Sequence, residues 1–439
     1  MTETAAGIPE GSNVTMHKGT KVELTIERSA HGGEGIALSE GRVVFVPNTY
    51  PGDVVEATIT QVKKKFARAE LDAVTRASDL RTANRCLAAL HGAGCCDLGD
   101  IKPEEEAQFK AHILKDQLHR LGKITDIPAI DVQTIGEPVG WRTRMRLGVD
   151  ALGNAGFRRR NSHDIVAHHR CSQAVPGLLD GIVESEGAAV NFTFTPGSQI
   201  VVVLDDEGKR SVVETRKPSR GQRAESIQKV LEGDGNVTQV IDNAQFTIPA
   251  TAFWQAHKAS AQHYASTIQR WMKTTLQELN LKDAVNGKPI GWDLYGGAGA
   301  FVPAMLEGLG EDSTIHSVEL SPEAAKAGKH ALRSIHGAKR VVFHSSLVER
   351  AVPRLPKPVA VVLDPPRVGA GRAVIDDIAL ASPEVVVHIG CDPATFARDM
   401  SYWLENGYAL IRLQLVDAFP GTHHFETLGL LVRDKGRKL

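Results

Sequence analysis

The sequence predicts a multidomain chain: a small all-β barrel first, a mixed α+β domain in the centre and a doubly wound α/β domain at the end. Three observations predict this order. Residues 14–78 carry short alternating apolar runs between glycine turns, and residues 79–245 mix strands with a long helix. Residues 246–439 alternate apolar strands with helix-length stretches, which is typical of a mostly parallel sheet.

Composition limits the classes of function. The formal net charge is −1, so any binding of nucleic acid must come from local basic patches. We find no run close to the ~20 apolar residues of a membrane span, and the first residues lack the apolar centre of a signal peptide. We therefore expect a cytoplasmic protein, with its cysteine thiols kept reduced.

The first region predicts a closed barrel of about five short strands, with turns at Gly41 and at Pro51–Gly52. Its second half carries a basic cluster, formed by Lys63, Lys64, Lys65 and Arg68. Such a cluster can follow a phosphate backbone. Equally, these lysines can be a solvated strand edge that resists aggregation.

The central region begins with a predicted helix over 103–121, with Pro103 in its first turn and Gly122 after it. An arginine-rich stretch follows, in which only two aspartates occur. Its arginines are Arg142, Arg144, Arg146, Arg158, Arg159, Arg160 and Arg170. The first three alternate and would share one face of a strand. We interpret this patch as an RNA contact, against the alternative of a solvated polar face.

The last region contains seven candidate strands: IGWDLY, IHSVEL, RVVFHSS, VAVVLDPP, EVVVHIGC, YALIRLQLVDAF and FETLGLLVR. The early ones are almost continuous apolar runs, as parallel strands buried on both faces are. A short turn near Pro420–Gly421 joins the last two, so one of these must pair antiparallel.

A glycine-rich turn, WDLYGGAGAF, follows the first of these strands. Asp293 precedes the turn, and Glu319 ends the next strand, where an acidic residue can hold two ribose hydroxyls. The spacing differs from the dinucleotide motif GxGxxG, and no phosphate-binding lysine follows. This favours S-adenosylmethionine as the cofactor. The alternative is a turn that serves only helix–sheet packing.

Three further strand ends carry reactive side chains. Asp364 opens the sequence DPPR, Cys391 ends the next strand, and Glu426 begins the last one. Arg367 stands where adenine N6-methylating enzymes carry an aromatic residue, which counts against that chemistry. The alternatives are a structural thiol at Cys391 and a surface carboxylate at Glu426.

A thiol, a carboxylate and a methyl donor together match one reaction. C5 of uracil is a poor nucleophile until a thiolate adds to C6, and a base must afterwards remove the C5 proton. Cys391 is the candidate nucleophile and Glu426 the candidate base. Since free cysteine has a pKa of about 8.5, we expect the site to lower the pKa of Cys391.

Taken together, these motifs resemble the RNA 5-methyluridine methyltransferases that carry a TRAM domain, over almost the whole chain. The matching segments are the barrel, the arginine-rich region, and AFWQAH, DLYGGAGAF, VEL, LDPPRVGAG, GCDPATFARDM and HHFETL in this order. The resemblance implies an OB-like TRAM barrel that binds RNA and a Rossmann-like class I methyltransferase domain. It also implies a uracil-C5 reaction on ribosomal (23S) or transfer RNA. We expect a monomer that acts away from membranes.

The resemblance also implies residue roles. Cys391 and Glu426 become nucleophile and base, and the cofactor contacts become Gln255, Tyr295, Glu319 and Asp364. Asp364 can also face the uracil. The sequence departs from the family pattern at Ala300 and Ser346, where asparagine is frequent, which puts cofactor contacts there in doubt.

Many family members hold a [4Fe–4S] cluster through four cysteines in a C-x5-C-x2-C run plus a distant fourth. The resemblance assigns this role to Cys86, Cys95, Cys96 and Cys171, although the adjacent pair departs from the family spacing. A zinc site or a metal-free thiol core are the alternatives. For the whole chain, the competing functions are an RNA-binding or assembly factor with a residual methyltransferase fold, and a small-molecule methyltransferase.

Overall fold

The computed structural model describes residues 16–216, 227–279, 288–335, 337–434 and 436. The chain divides into two compact units, with the boundary between Arg81 and Thr82. No helix in the described ranges combines the length and the apolar character of a membrane span.

The first unit is a six-stranded sheet, which confirms the all-β prediction. Its strands are β1 (Lys21–Thr25), β2 (Arg28–Ser29), β3 (Gly35–Ser39), β4 (Arg42–Val46), β5 (Val54–Val62) and β6 (Phe66–Arg76), in the spatial order β1-β5-β6-β4-β3-β2. Val55, Ala57 and Ile59 of β5 are fully buried, as a period of two requires. The strand missed by the prediction, β2, is too short to show alternation.

The basic turn of this unit joins β5 to β6. Lys63, Lys64 and Lys65 are all exposed there. The side chain of Arg68 instead forms an ion pair with Glu34, in which Nη1 lies 2.9 Å from Oε1. The three lysines are thus the part of the predicted basic cluster that is open to a ligand.

The second unit contains an antiparallel sheet and a hairpin from the central region. The sheet consists of β8 (Arg144–Val149), β9 (Ala155–Arg158), β10 (Ile165–Ala167), β11 (Gln199–Leu204), β12 (Arg210–Arg216) and β13 (Ile227–Glu232), in the order β10-β9-β8-β11-β12-β13. The hairpin pairs β14 (Asn236–Ile241) with β15 (Ala244–Pro249).

The same unit contains an eight-stranded sheet in the order β18-β17-β16-β19-β20-β22-β21-β7. Its strands are β7 (Ile130–Thr134), β16 (Ile290–Leu294), β17 (Thr314–Glu319), β18 (Val341–Ser345), β19 (Ala360–Leu363), β20 (Val385–Gly390), β21 (Tyr408–Asp417) and β22 (Glu426–Arg433). Strands β16 to β20 pair parallel, and β22 pairs antiparallel with both of its neighbours. The predicted mostly parallel sheet, in which one of the last two strands pairs antiparallel, is therefore confirmed; the antiparallel strand is β22, and it lies between β20 and β21.

Helices cover both faces of this sheet. The α-helices among the described residues are α1 (Leu87–Leu90), α2 (Pro103–Arg120), α3 (Ser260–Glu278), α4 (Val302–Leu309), α5 (Pro322–Ala331), α6 (Val348–Ala351), α7 (Gly371–Ala381) and α8 (Pro393–Glu405). Alternate residues of β19 serve the two faces: Val362 packs with α3 and α4, and Val361 packs with α2, α7 and α8. The carboxyl ends of β16, β17, β19 and β20 lie together at one edge, where ligands bind in such folds.

The central region also contributes to this sheet. Strand β7 pairs parallel with β21, and Leu114 and Leu118 of α2 pack in the same cluster as Phe396 and Met400 of α8. Segments on both sides of the predicted domain boundary at residue 245 therefore belong to one sheet. The division of the chain into three domains stays a prediction.

Candidate active site

The glycine-rich turn follows β16 directly. Tyr295, Gly297 and Gly299 have φ angles of 61°, 56° and 76°. Tyr295 is the informative one, because residues other than glycine rarely adopt the left-handed region. A Cβ atom on Gly296 would lie 2.2 Å from Oδ2 of Asp293, so a larger residue there would displace this buried carboxyl group. The turn thereby keeps its backbone close to the sheet edge, where a ligand can approach it.

Two carboxylates border this turn. Glu319 accepts hydrogen bonds from the backbone N–H groups of Gly297 (3.1 Å) and Ser321 (2.7 Å), and it stays partly exposed. Each of its oxygens has a further lone pair for a donor such as a ribose hydroxyl. Asp293 is buried, and among the described residues its Oδ1 atom has no hydrogen-bond partner. Both carboxylates therefore fit a ligand that brings hydrogen-bond donors.

Asp364 follows β19 and is partly exposed. The turn after it is held by α8: Thr395 Oγ1 donates to the carbonyl oxygen of Arg367 at 3.0 Å, and Oδ2 of Asp399 accepts from the N–H of Ala370 at 2.7 Å. Because α8 begins directly after the Cys391–Asp392 step, one helix fixes two of the motifs that the sequence singles out.

Cys391 and Glu426 meet across the antiparallel pair β20–β22. Gly390 and Thr427 are the last partners of this ladder, so Cys391 and Glu426 are the next residues on either side. Glu426 is 6% exposed, while Cys391 is partly exposed. Oε2 of Glu426 is buried without a hydrogen-bond partner among the described residues. A thiol and a carboxyl oxygen with no hydrogen-bond partner in the described ranges therefore lie next to each other at this edge.

The electrostatics of Cys391 differ from the prediction. Burial raises the pKa of its thiol to about 12, the negative charges of Glu426 and Asp364 add to the rise, and Arg367 opposes it. The expectation of a lowered pKa is therefore wrong for the ligand-free protein. The physical reason is that a thiolate here would be desolvated beside two carboxylates, with one cation to compensate.

The two carboxyl groups are affected in the same way. Burial raises the pKa of Glu426 well above its ordinary value, and Asp364 raises it further. Burial and the charge of Asp293 raise the pKa of Asp364 to about 7. Arg367 lowers the pKa of Glu426 as well as that of Cys391. Pairs of titratable groups perturbed by burial and by specific partners are typical of functional sites.

The raised pKa of Asp364 predicts a stability effect. Between the unfolded pKa near 4 and the folded value of about 7, the unfolded chain releases a proton that the folded chain retains, so stability falls as the pH rises through this window. Asp364→Asn removes the charge. We expect it to stabilise the ligand-free protein by at least about 1 kcal/mol at pH 8, and by much less at pH 4.5.

Urea unfolding at the two pH values measures this difference. Asp312→Asn, at an exposed position, is the control and should leave the profile unchanged. An Asp364→Asn protein that is equally or less stable at pH 8 would show that burial does not strain this carboxyl group.

A buried ion network holds the loop before Glu426. Nζ of the fully buried Lys110 lies 2.6 Å from Oδ1 of Asp417 and 2.8 Å from Oε1 of Glu106, and it donates to the carbonyl oxygen of Phe419. The same Glu106 oxygen accepts from the N–H of Gly421 at 2.6 Å. Helix α2 therefore fixes the first part of the turn that delivers Glu426 to the site.

Residues after the cysteine run hold the same loop. Asp97 accepts from the N–H of His423 at 3.1 Å and pairs with its ring, and the N–H of Leu98 donates to the carbonyl oxygen of Gly421 at 3.0 Å. The neighbouring His424 places Nε2 3.5 Å from Nη2 of Arg367. The segment that carries three cysteines is thus bonded to the turn preceding Glu426.

The remaining predicted cofactor residue, Gln255, lies between β15 and α3 and is partly exposed. The two positions at which the sequence departs from the family pattern, Ala300 and Ser346, lie close to the glycine turn. Ala300 follows it, and the N–H of Ser346 donates to the carbonyl oxygen of Glu319 at 3.0 Å.

The four predicted metal ligands come together in space. The Sγ atoms of Cys86, Cys95, Cys96 and Cys171 all lie within 4.8 Å of one another. Individual separations are 3.7 Å (Cys86–Cys95), 3.8 Å (Cys86–Cys171) and 3.6 Å (Cys96–Cys171). A [4Fe–4S] cluster binds each thiolate at a different iron and so holds the sulfurs farther apart than one ion does; these closely spaced positions do not fit it.

The arginine run is divided in the structure. Arg144 donates to the carbonyl oxygens of Ala250 and Ala252, and Arg142 donates to Oε1 of Gln173. The sequence predicts an open face formed by all three arginines, but Arg144 is bound to backbone carbonyls and Arg142 to Gln173, so both side chains are held by the fold. Arg146 and Arg158 are exposed and line a cavity of about 370 Å³. The rest of its lining is Gly94, Cys95, Arg142, Met145, Leu147, Gly148, Phe157, Gln173 and Gln199.

Sequence reasoning missed several contributors. The sequence singles out Arg367 only because an aromatic residue is missing there, whereas in the structure its positive charge lowers the pKa values of Cys391 and Glu426. Asp399 gave no signal beyond its place in a helix. Lys110 could have been found, because it lies on the apolar side of α2 between Ala107 and Leu114, where a lysine needs a buried partner.

Two family models match parts of this chain. The profile of the family described as TRAM domain matches residues 17–71, and that of tRNA (Uracil-5-)-methyltransferase matches residues 357–435. The second match contains Asp364, Arg367, Cys391 and Glu426.

Full-length relatives extend the match. A protein of Corynebacterium diphtheriae described as an uncharacterized RNA methyltransferase is 50% identical, over 95% of this chain and 98% of its own. One of Streptomyces avermitilis with the same description is 31% identical, over 94% and 98%. In fold, the chain resembles the tRNA (uracil-54, C5)-methyltransferase of Pyrococcus abyssi, whose structure was solved with S-adenosyl-L-homocysteine. The TM-score is 0.67 at 17% identity, and the match covers 94% of this chain and 100% of the other. The chain belongs to the RNA (uracil-5-)-methyltransferase family, in the group that carries an N-terminal TRAM domain.

Proposed function

We propose that this protein methylates C5 of a uridine in structured RNA, either 23S ribosomal RNA or transfer RNA, with S-adenosylmethionine as methyl donor. One observation carries the proposal: a thiol at Cys391 and carboxyl groups at Glu426 and Asp364 converge at the sheet edge that also carries the glycine turn. A purely structural cysteine would not need two carboxyl groups with raised pKa values beside it.

The cofactor contacts are assigned to Gln255, Tyr295, Glu319 and Asp364. Glu319 is the residue for the ribose hydroxyls, because it is partly exposed and already oriented by two backbone N–H groups. S-adenosylmethionine, when bound, supplies a methyl group activated by its positively charged sulfur. Oδ1 of Asp293, which has no hydrogen-bond partner in the described part of the chain, and the close backbone of the turn support binding at this edge.

The chemistry of the chain's own residues follows from their placement. Cys391 Sγ, as the thiolate, bonds to C6 of the uracil, and the electron pair of the C5–C6 double bond moves to C5. C5 would then bond to the methyl carbon as that carbon's bond to the donor sulfur breaks, and S-adenosyl-L-homocysteine would leave with the electron pair. Glu426 then accepts the C5 proton on its free carboxylate oxygen, and the C6–S bond breaks as the ring double bond re-forms. The raised pKa of Glu426 gives the carboxylate a high affinity for that proton, and it also requires, as for Cys391, that the group loses its own proton when cofactor and RNA fill the site.

Arg367 is a candidate for stabilising the thiolate. It is the cation that lowers the pKa values of both Cys391 and Glu426, and its backbone is fixed by Thr395. With the pKa of Cys391 near 12 in the ligand-free protein, few molecules carry the thiolate at neutral pH. We infer that the reactive thiolate forms once a positively charged cofactor and the RNA fill the site.

For RNA, two basic surfaces are available. One is the exposed turn Lys63–Lys65 of the TRAM unit, and the other is the cavity lined by Arg146 and Arg158. Methyl transfer at C5 requires a base that is turned out of its stack, as in a loop. We propose that the protein acts as a monomer in the cytoplasm, where such RNA is found.

The double variant Arg146→Ala/Arg158→Ala tests the second surface. The cavity lining contains no acidic residue beside these exposed guanidinium groups. Their loss should therefore weaken RNA binding by about tenfold. It should also reduce the slope of log K against log salt concentration by the equivalent of about one phosphate contact or more. Fluorescence anisotropy with a labelled RNA stem–loop at several salt concentrations measures both quantities.

The control is Arg372→Ala, which removes an exposed arginine that pairs with Glu405 at 2.7 Å. If this variant loses as much affinity as the double variant, the effect is one of overall charge. If the double variant binds as tightly as the unaltered protein, the cavity has no part in RNA binding.

The proposed function itself is tested on cellular RNA. We expect 23S ribosomal RNA or transfer RNA from a strain that lacks this gene to have lost 5-methyluridine, as measured by mass spectrometry of nucleosides. The purified protein with S-adenosylmethionine should restore it. Unchanged 5-methyluridine in both RNA classes contradicts the proposal. Tight RNA binding without methyl transfer would favour the RNA-binding or assembly factor instead.

A further inference from the structure

The four-cysteine site has the dimensions of a single-ion site. The three sulfur–sulfur distances of 3.6, 3.7 and 3.8 Å are nearly equal, and no pair is separated by more than 4.8 Å. Four thiolates at about 2.3 Å from one tetrahedral ion lie about 3.8 Å apart, because a tetrahedron's edge is 1.63 times its centre-to-corner distance.

A four-iron cluster needs a larger frame. Its thiolates bind at four separate irons, so the separation of the irons adds to the spread of the sulfurs. To reach it, Cys86, Cys96 and Cys171 would all have to move outward, although each is at most 4% exposed and packed in one apolar cluster. The adjacent pair Cys95–Cys96 restricts this further, since neighbouring residues share one peptide bond.

We propose that Cys86, Cys95, Cys96 and Cys171 bind one tetrahedral divalent ion, with zinc as the fitting metal, in place of the four-iron cluster that the family resemblance implies. All four ligands are sulfur and no position remains for water or substrate, which is the pattern of a structural zinc site.

The surroundings match a negatively charged thiolate centre. Nε2 of Gln173 donates to Sγ of Cys96 at 3.3 Å and to the carbonyl oxygen of Cys95 at 2.7 Å. Oε1 of the same Gln173 accepts from Nη1 of Arg142 at 3.0 Å. Donors to ligand sulfur orient the ligands, and a cation nearby offsets the two negative charges that four thiolates leave on a divalent ion.

The ion would act on the methylation site through the chain that it fixes. Three of the ligands precede Asp97 and Leu98, which hydrogen-bond the loop before Glu426. Cys171 lies 75 residues after Cys96 in the sequence, so the ion would join the segment 86–96 to the segment around Cys171. Its role is to position the loop, and it takes no part in the bond changes at the uracil.

Metal analysis of the full-length protein, purified without oxygen and without chelator, tests the inference. We expect about one zinc per chain and no acid-labile sulfide. Cobalt(II) exchanged into the site should show the visible bands of tetrahedral thiolate coordination. About four irons with four sulfides per chain would overturn the proposal. So would a protein that takes up neither added zinc nor cobalt.

Matched variants locate the ion. Cys96→Ser and Cys171→Ser should lower the bound zinc at least tenfold and lower the unfolding temperature, while Cys391→Ser, at the remaining cysteine, should keep one zinc per chain. Zinc that stays at one per chain in both ligand variants would place it elsewhere. The zinc content is measured without RNA and without cofactor. The zinc proposal can therefore fail while the proposed methylation holds, and the reverse.

Discussion

Cys391→Ala is expected to lower methyl transfer by more than about 1,000-fold, because C5 of uracil is not nucleophilic until sulfur has added to C6. The side chain is partly exposed at the end of β20, and alanine leaves a small gap there without an unpaired polar group. The fold and the cofactor turn should therefore remain intact. Radioactive methyl transfer to the RNA substrate measures the loss.

Two controls separate chemistry from structure in this variant. Binding of S-adenosyl-L-homocysteine should stay within about twofold of the unaltered protein, since the glycine turn after β16 does not involve Cys391. RNA binding should likewise persist, but no complex should survive denaturation. A Cys391→Ala protein that methylates RNA at a comparable rate would remove the covalent step from the account.

Glu426→Gln is expected to have the opposite effect on the covalent complex. The amide keeps the shape of the side chain but cannot accept the C5 proton, so addition and methylation can proceed while release is blocked. We expect turnover to fall by about 100-fold or more and the protein–RNA adduct to accumulate. A denaturing gel with labelled RNA, and the intact mass of the complex, would show this.

The double variant Cys391→Ala/Glu426→Gln is the matched control, and it should form no adduct. Folding should tolerate the amide well, because it removes a buried carboxyl group whose pKa is raised well above its ordinary value. If Glu426→Gln turns over as fast as the unaltered protein, another group removes the proton.

Elements with a local pattern could be predicted from the sequence. All residues of β20, Val385–Gly390, are buried, which is what an almost continuous apolar run, interrupted by His388, indicates for a central strand. Helix α2 begins at Pro103, as its first-turn proline and acidic residues indicate. The motif residues could be located because strand ends of a parallel sheet meet at one edge.

Non-local contacts could not be predicted in this way. Strand β7 joins the sheet through β21, about 280 residues further along the chain, and the sequence IDVQT has too weak a pattern to indicate such pairing. Arg142 and Arg144 have the sequence appearance of a surface patch, and only their distant partners, Gln173 and the carbonyls of Ala250 and Ala252, show that they support the fold.

The electrostatics of the site were the least predictable part. A thiol, two carboxyl groups and one guanidinium group can be named from the motifs, but the pKa of Cys391 depends on how deeply each is buried. The same limit applies to the cysteine centre. Its four ligands can be found by counting, whereas the distances that separate one ion from a cluster come from the folded chain alone.

The most direct measurement uses RNA with 5-fluorouridine at the target position. Fluorine replaces the C5 proton that Glu426 must remove, so the reaction stops after methylation with sulfur still bonded to C6. Mass spectrometry of the digested complex should find the methylated fluorouridine attached to the peptide that contains Cys391. The opposite result, no covalent complex or attachment at another residue in a protein that methylates the normal RNA, would contradict the central claim.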